Sequence, residues 1–191
     1  MQPRIPRQSA GEPGEPGEQG DRRPDGGDAR ARFGADLASV VTGARRRAVR
    51  DGDRQIDTAH LLHSLLEHDP QVRSLLGEGP QLARLLGYLV QRSIGYGLRW
   101  QSTAEDTGAV PVVAGAGGFS PPAAAAMEEA GARAARRGAA EACGVDLLAG
   151  LVADPRTRAV EVLDRAGVER RTVLARLESR CEPEPRPAPG I

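Results

Sequence analysis

The chain has 191 residues, room for one ordinary domain or two very small ones sharing a core. Lysine plus arginine and aspartate plus glutamate number 26 each, so no net field draws the protein to nucleic acid or to anionic lipid. Lysine is missing altogether, as is asparagine. That excludes a phosphate loop, which needs a lysine on the β/γ-phosphates, and Schiff-base catalysis, which needs a lysine amine. The arginine, alanine and glycine usage is that of GC-rich coding, as in an actinobacterium-like source. Cys143 and Cys181 form no CxxC pair, so neither a zinc knuckle nor a disulfide framework is expected. No apolar run approaches the ~18 residues of a membrane span, and the N-terminus lacks the apolar stretch of a signal peptide. The expected compartment is the cytoplasm.

Residues 1–32 are Gly, Pro, Glu, Asp and Arg with almost nothing apolar, a composition that cannot offset its own ordering entropy and predicts disorder. Four triplets from Gly11 to Arg22 fall in collagen register, but Arg23 breaks it, and so short a run reads as a flexible linker. Residues 33–92 follow as a first helical segment, and Ser93–Gly118 as a Gly-rich connection. Within the segment, Leu37, Val40, Val41, Ala44 and Ala48 are spaced by three and four, the apolar stripe of one helix. A second helix carries Leu61, Leu62, Leu65 and Leu66, with Asp57 or Thr58 as its cap. Asp69-Pro70 opens a third, and Leu82, Leu85, Leu86 and Leu89 share one face of a fourth. The connection holds the only period-two run, Val110–Val113.

Residues 119–180 repeat this order. Phe33 and Phe119 lie 86 positions apart, and the same offset pairs Val41 with Met127, Ala44 with Ala130, Gly52 with Gly138 and Leu61-Leu62 with Leu147-Leu148. So long a register is the mark of an internal duplication. The second copy's helices are expected over Ala126, Met127, Ala130 and Ala134; from about Val145 to Val152; from Asp154-Pro155; and over Val168, Val173, Leu174 and Leu177. The fold expected is all-α, two four-helix repeats related by a pseudo-twofold axis, with disordered N- and C-terminal tails, the latter the Pro-rich residues 181–191.

The repeated motifs look familiar. Phe119-Ser120-Pro121-Pro122-Ala123 followed by Gly144-Val145-Asp146-Leu147-Leu148-Ala149-Gly150-Leu151, and in the first copy Thr58-Ala59-His60-Leu61-Leu62-His63-Ser64-Leu65-Leu66, resemble the double repeat of the N-terminal domain of Clp unfoldases. There an F-T-x-R-A start leads to a G-T-E-H-L-L-L-G-L-L helix; Phe33-Gly34-Ala35-Asp36 matches that start only weakly. The resemblance covers roughly residues 33–180. It implies a free-standing, non-catalytic binding domain without ATPase modules, an adaptor, decoy or regulator sharing partners with a Clp unfoldase and its protease. Its expected partners are the unfoldase, adaptors, substrate peptides and Clp-directed cyclic-peptide antibiotics, and the expected state is a monomer. Some family members read phosphorylated arginine with the threonine of the first motif and the glutamate of the second. Those positions are Gly34 and Ser120, and Ala59 and Val145, so both glutamates are lost and only Ser120 keeps a hydroxyl. The resemblance places the peptide or partner site at Phe33, Phe119, Ser120, Met127 and Glu128.

Other constellations carry less. His60 and His63, with Glu67 beyond, share a helix, yet ligands from one helix lack the third direction a tetrahedral metal needs, so no metal and no cofactor is expected. Arg45, Arg46, Arg47 and Arg50, echoed by Arg133, Arg136 and Arg137, read as a solvated basic face. Tyr88, Tyr96 and Trp100 are the one aromatic grouping, read as packing of the connection onto the repeats. Cys143 opens a helix whose dipole would lower its pKa, but no histidine stands near it in sequence. With no nucleophile motif, an enzyme is not expected. The alternative function is a small helical DNA-binding or transcription regulator using its Arg-rich helices, which steep salt dependence would reveal.

Overall fold

The computed structural model describes residues 33–77, 79–93, 105 and 118–181. Eight helices are present among them: α1 (Ala35–Asp51), α2 (Thr58–His68), α3 (Pro70–Leu76), α4 (Gly79–Ser93), α5 (Pro121–Arg136), α6 (Gly144–Leu151), α7 (Arg158–Arg165) and α8 (Arg170–Cys181). The tails read as disordered, the Val110–Val113 run, Tyr96 and Trp100 lie outside the described residues.

Each long helix has a local cause. In α1 the buried residues Leu37, Val40, Ala44 and Ala48 form one stripe, and in α5 Ala123, Ala126, Met127, Ala130 and Ala134 do the same. Both helices stop at a left-handed glycine, Gly52 at φ 75° and Gly138 at φ 70°. Past each glycine the chain bonds back across the last turn, Asp53 N to Ala48 O and Ala139 N to Ala134 O, both at 2.9 Å. The next helix then starts on a side-chain cap. Asp57 Oδ1 accepts from His60 N at 2.8 Å at the head of α2, and at the head of α6 the Asp146 carboxylate reaches back to Cys143 N at 3.0 Å.

α1 lies along α2 and α5 along α6. The first pair approaches closely at Gly43, where an added Cβ would stand 3.4 Å from Ser64 Cβ and closer still to its hydroxyl. The second pair meets at Gly150, the position 86 residues beyond Ser64, whose added Cβ would fall 2.4 Å from the carbonyl oxygen of Ala126. The same crossing is thus made twice, with the small residue on opposite helices.

The two halves are tied by reciprocal backbone bridges. Phe33 pairs in parallel with Ala142, and Phe119 with Ile56. Because Ile56 and Ala142 are also 86 apart, exchanging the two repeats turns one bridge into the other, the behaviour of a pseudo-twofold axis. The second bridge is closed by Ile56 N to Gly118 O at 2.6 Å and Ser120 N to Ile56 O at 2.9 Å. Around the axis α2 contacts α6, α7 and α5, and α3 contacts α6 and α8. Leu61, Leu62, Leu65, Leu147, Leu148 and Leu151 are fully buried in one core shared by both repeats. Each contributes about 1.5–3 kcal/mol of transfer free energy.

One expected helix start is displaced. Asp154-Pro155 does not open α7; residues 152–157 form turns, and the Asp154 carboxylate instead binds Arg156, at 2.9 Å from its N–H and 3.0 Å from its guanidinium. The cap is Thr157, whose hydroxyl accepts from Val160 N at 3.4 Å. Thr157 stands 88 positions after Asp69, the N-cap of α3, and 88 also separates the buried pairs Leu85 and Val173, and Leu89 and Leu177. The second copy therefore carries two extra residues before its third helix. Val168, placed with the fourth helix by the sequence, is buried in the turn ahead of α8.

Candidate functional site: the junction between the repeats

Where α2, α5 and α7 begin, their N-termini converge on the side chain of Glu105, a buried residue of the connection between the repeats. Glu105 Oε2 accepts from Thr58 N at 2.9 Å and from the Ser120 hydroxyl at 3.0 Å. Glu105 Oε1 accepts from Arg158 N at 2.9 Å and from the Thr58 hydroxyl. Thr58 Oγ1 in turn accepts from Ala159 N at 3.0 Å, which couples the head of α2 directly to that of α7. These orphan N–H groups and the positive ends of the helix dipoles suit a carboxylate.

A second layer of charge lies beside it. Arg158 Nη1 is 2.7 Å from Asp57 Oδ2, joining the second repeat to the first. On its other side Asp57 meets His60, with Nδ1 2.8 Å from Asp57 Oδ1, and His60 Nε2 points between Asp51 at 3.5 Å and Asp53 at 3.4 Å. Burial works against the charge of this histidine, but hydrogen bonds to Asp53 and Asp57, aided by their negative charge, outweigh it and push its pKa up to about 9. Burial likewise opposes ionisation of Asp57, and the hydrogen bond and charge of His60, with the Arg158 guanidinium, bring it down to about 2. Nδ1 cannot donate and accept at once. The imidazolium holds the Asp57 carboxylate, whereas the neutral ring accepts Asp57 N–H at 3.1 Å and completes a reciprocal capping box.

His63 faces elsewhere, 3.8 Å from Glu67, and its pKa falls to about 4 through burial and then the nearby Arg47, against the opposing pull of Glu67. The drawn set of His60, His63 and Glu67 is therefore not assembled. Asp53, Asp57 and His60 do bring ligand atoms within 4.8 Å of one another. Those carboxylates already hold the imidazolium, and Arg158 already pairs with Asp57, so the group is internally compensated. The dipole of α6 does not activate Cys143: burial and the Asp146 carboxylate, 3.2 Å from its sulfur, raise its pKa, as suits a small structural thiol. Much of the basic face is ion-paired, Arg47 with Glu67, Arg137 with Asp146, and Arg136 with Glu129 at 2.6 Å.

The five residues that the sequence proposes for a partner site have different fates. Phe33 and Phe119 are half-buried, each on the bridge that crosses to the other repeat. Ser120 is buried, its hydroxyl accepting from Ala123 N at 3.3 Å and donating to Glu105. Met127 is in the core, and Glu128 is exposed. At the position matching Ser120 in the first copy, a Cβ on Gly34 would stand 2.8 Å from Glu141 Oε2. Glu105 was not among the sequence candidates. An acidic pair, Glu105-Asp106, in a Gly-rich stretch has no periodicity to mark either residue.

Neither a protein-family model nor a characterised protein sequence matches the chain. Solved structures do. The N-terminal domain of the caseinolytic protease associated chaperone ClpD from Arabidopsis thaliana aligns over 78% of this chain and 94% of its own, with a TM-score of 0.59 and 20% identity. The fold is that of a Clp N-terminal domain. A chain from structural work on a malarial protein secretion system aligns over the same shares, with a TM-score of 0.55 and 16% identity. Among the described residues, no helix is long and apolar enough to cross a membrane.

Proposed function

We propose that this chain is a non-catalytic protein- and peptide-binding module of the Clp N-domain type, acting as an adaptor, decoy or regulator of a Clp unfoldase and its protease in the cytoplasm. The observation that carries the reading is the fold, two duplicated four-helix units joined through reciprocal bridges at Phe33 and Phe119. Half-buried aromatics on rigid backbone are the kind of residue that anchors a partner. A carboxylate-bonded thiol of raised pKa and a wholly lysine-free chain suit binding better than covalent catalysis. The ligands proposed are adaptor or substrate peptides and Clp-directed cyclic peptides, with Phe33, Phe119 and the exposed Glu128 as contact residues. Ser120 and Met127 then act behind that surface, one holding Glu105 and the other packing α5.

The test is calorimetric titration of the purified protein with a Clp unfoldase, with an acidic or basic substrate peptide and with a Clp-directed cyclic peptide. Phe119→Ala is expected to weaken the binding observed by ~1–3 kcal/mol with the melting temperature little changed. Unchanged affinity with a lowered melting temperature makes Phe119 structural. Absence of binding to every one of these probes by the unmodified protein overturns the reading.

A further inference from the structure

The two bridges that join the repeats are equivalent by symmetry but differ in what stands behind them. Ile56, on one side of the second bridge, precedes Asp57-Thr58, and Phe119, on the other, precedes Ser120. One oxygen ties both sides together: Glu105 Oε2 accepts from Thr58 N at 2.9 Å and from the Ser120 hydroxyl at 3.0 Å. The other fixes the orientation of the carboxylate in this cradle of donors, since Oε1 accepts from Arg158 N at 2.9 Å and from the Thr58 hydroxyl. Glu105 is 5% exposed and Ser120 1%, so water competes little for these bonds, and bonds to an ionised acceptor are the stronger kind. At the first bridge the positions matching Thr58 and Ser120 are Gly144 and Gly34, which carry no hydroxyl. The backbone bonds beside Phe119, Ile56 N to Gly118 O and Ser120 N to Ile56 O, therefore have a side-chain brace that glycine cannot supply beside Phe33.

We infer that Glu105 is a positioning residue for Phe119: it holds the segment that carries this half-buried aromatic against Ile56, and so sets where the ring stands for a partner. That a partner uses the ring rests on the binding-module reading above. The bracing of the bridge does not, and its test needs no partner, so the two fail separately.

Amide hydrogen exchange by NMR at pH 7 reads the bridge in the full chain. In Glu105→Ala the Ile56 and Ser120 N–H groups should exchange roughly tenfold or more faster than in the unmodified protein, the size expected for losing hydrogen bonds to a charged group. The N–H groups of Asp69 and Ala139, bonded at 2.9 Å at the far ends of α2 and α5, are the references and should keep their rates within about twofold. Equal acceleration at all four amides makes Glu105 a general stabiliser and overturns the inference, as does unchanged exchange at Ile56 and Ser120. If E105A does not fold, E105Q decides by the same comparison, because its NH2 must confront the N–H of Arg158 or of Thr58. The partner half is read by titration with the Clp-directed cyclic peptide. The Glu105 variant should bind roughly threefold to tenfold more weakly when Phe119 is present, and no more weakly in the Phe119→Ala background. Equal weakening in both backgrounds, or undiminished affinity with Phe119 present, refutes a role through Phe119.

Discussion

Raising the pH from 6 to 10 removes the proton from His60, and the surrounding carboxylates set the consequence. The folded pKa is about 9 against 6.5 for a free imidazole. A group raised on folding contributes stability that is fully present below its unfolded value and is lost as pH rises through its folded value. The window is therefore about pH 6.5 to 9. The shift corresponds to roughly 3 kcal/mol, and the slope within the window approaches about 1.4 kcal/mol lost per pH unit, one proton's worth. The groups facing the ring are Asp51, Asp53 and Asp57, with Arg158 behind Asp57. Deprotonation also has a partial remedy, because the neutral ring can accept Asp57 N–H, so the observed loss is expected at or below the full figure. Urea unfolding followed at 222 nm is the assay, since guanidinium would screen the ion pairs. Cys143 also titrates in alkali, so the informative quantity is the difference between the unmodified protein and His60→Gln. The two stability curves should converge as pH rises from 6.5 to 9.5. Parallel curves would refute a charged His60 held by these carboxylates.

His63 behaves in the opposite sense: with its folded pKa brought to about 4, its contribution is present above pH 6.5 and is lost as pH falls toward 4, so His63→Leu should flatten the acid side of the urea-stability profile. Leu62→Ala and Leu148→Ala, at matched positions of the two repeats and both fully buried, should each cost ~2–5 kcal/mol in urea unfolding. Gly150→Ala drives a Cβ against the backbone carbonyl of Ala126 and should destabilise by ~1–3 kcal/mol, whereas Gly131→Ala, with nothing within 4 Å, should stabilise by ~0.5–1 kcal/mol through helix propensity.

The repeat was legible because its signals are periodic or positional. Apolar residues spaced by three and four mark helix faces, and Gly52 and Gly138 mark the same helix end in each copy because only a left-handed turn closes it. The start of α7 misled because Asp-Pro is a cap signal wherever it occurs, and here a two-residue insertion lets Thr157 outcompete it. Burial of polar residues was less legible. Ser120 and Met127 stand among the partner-site residues in sequence, but the crossing of the second repeat onto Ile56 covers the first, and the stripe of α5 turns the second inward. His60 reads as a helix-face histidine; that Asp51 and Asp53 face it follows from the tight turn at Gly52, a tertiary consequence with no local pattern.

The pseudo-twofold axis makes the two junctions comparable, and they are furnished differently. The mate of the Glu105 cradle lies at the heads of α1, α3 and α6, where Gly34 replaces Ser120, Gly144 replaces Thr58 and Asp69 replaces Thr157. Neither glycine offers a hydroxyl, and neither leaves room for one. A Cβ on Gly144 would stand 2.0 Å from Asp69 Oδ2, and one on Gly34 would meet the carboxylate of Glu141. Asp69 cannot simply swing aside, since its other oxygen accepts from Gln71 N at 2.8 Å and Val72 N at 3.1 Å as the cap of α3. At that junction the anion is thus supplied by a residue committed to its own helix. At the other it comes from Glu105 of the connection, which takes the first N–H groups of α2 and α7. Duplication produced two equivalent meetings of helix dipoles, and side-chain divergence left one of them supplied with its carboxylate by a helix cap and the other by the connection between the repeats.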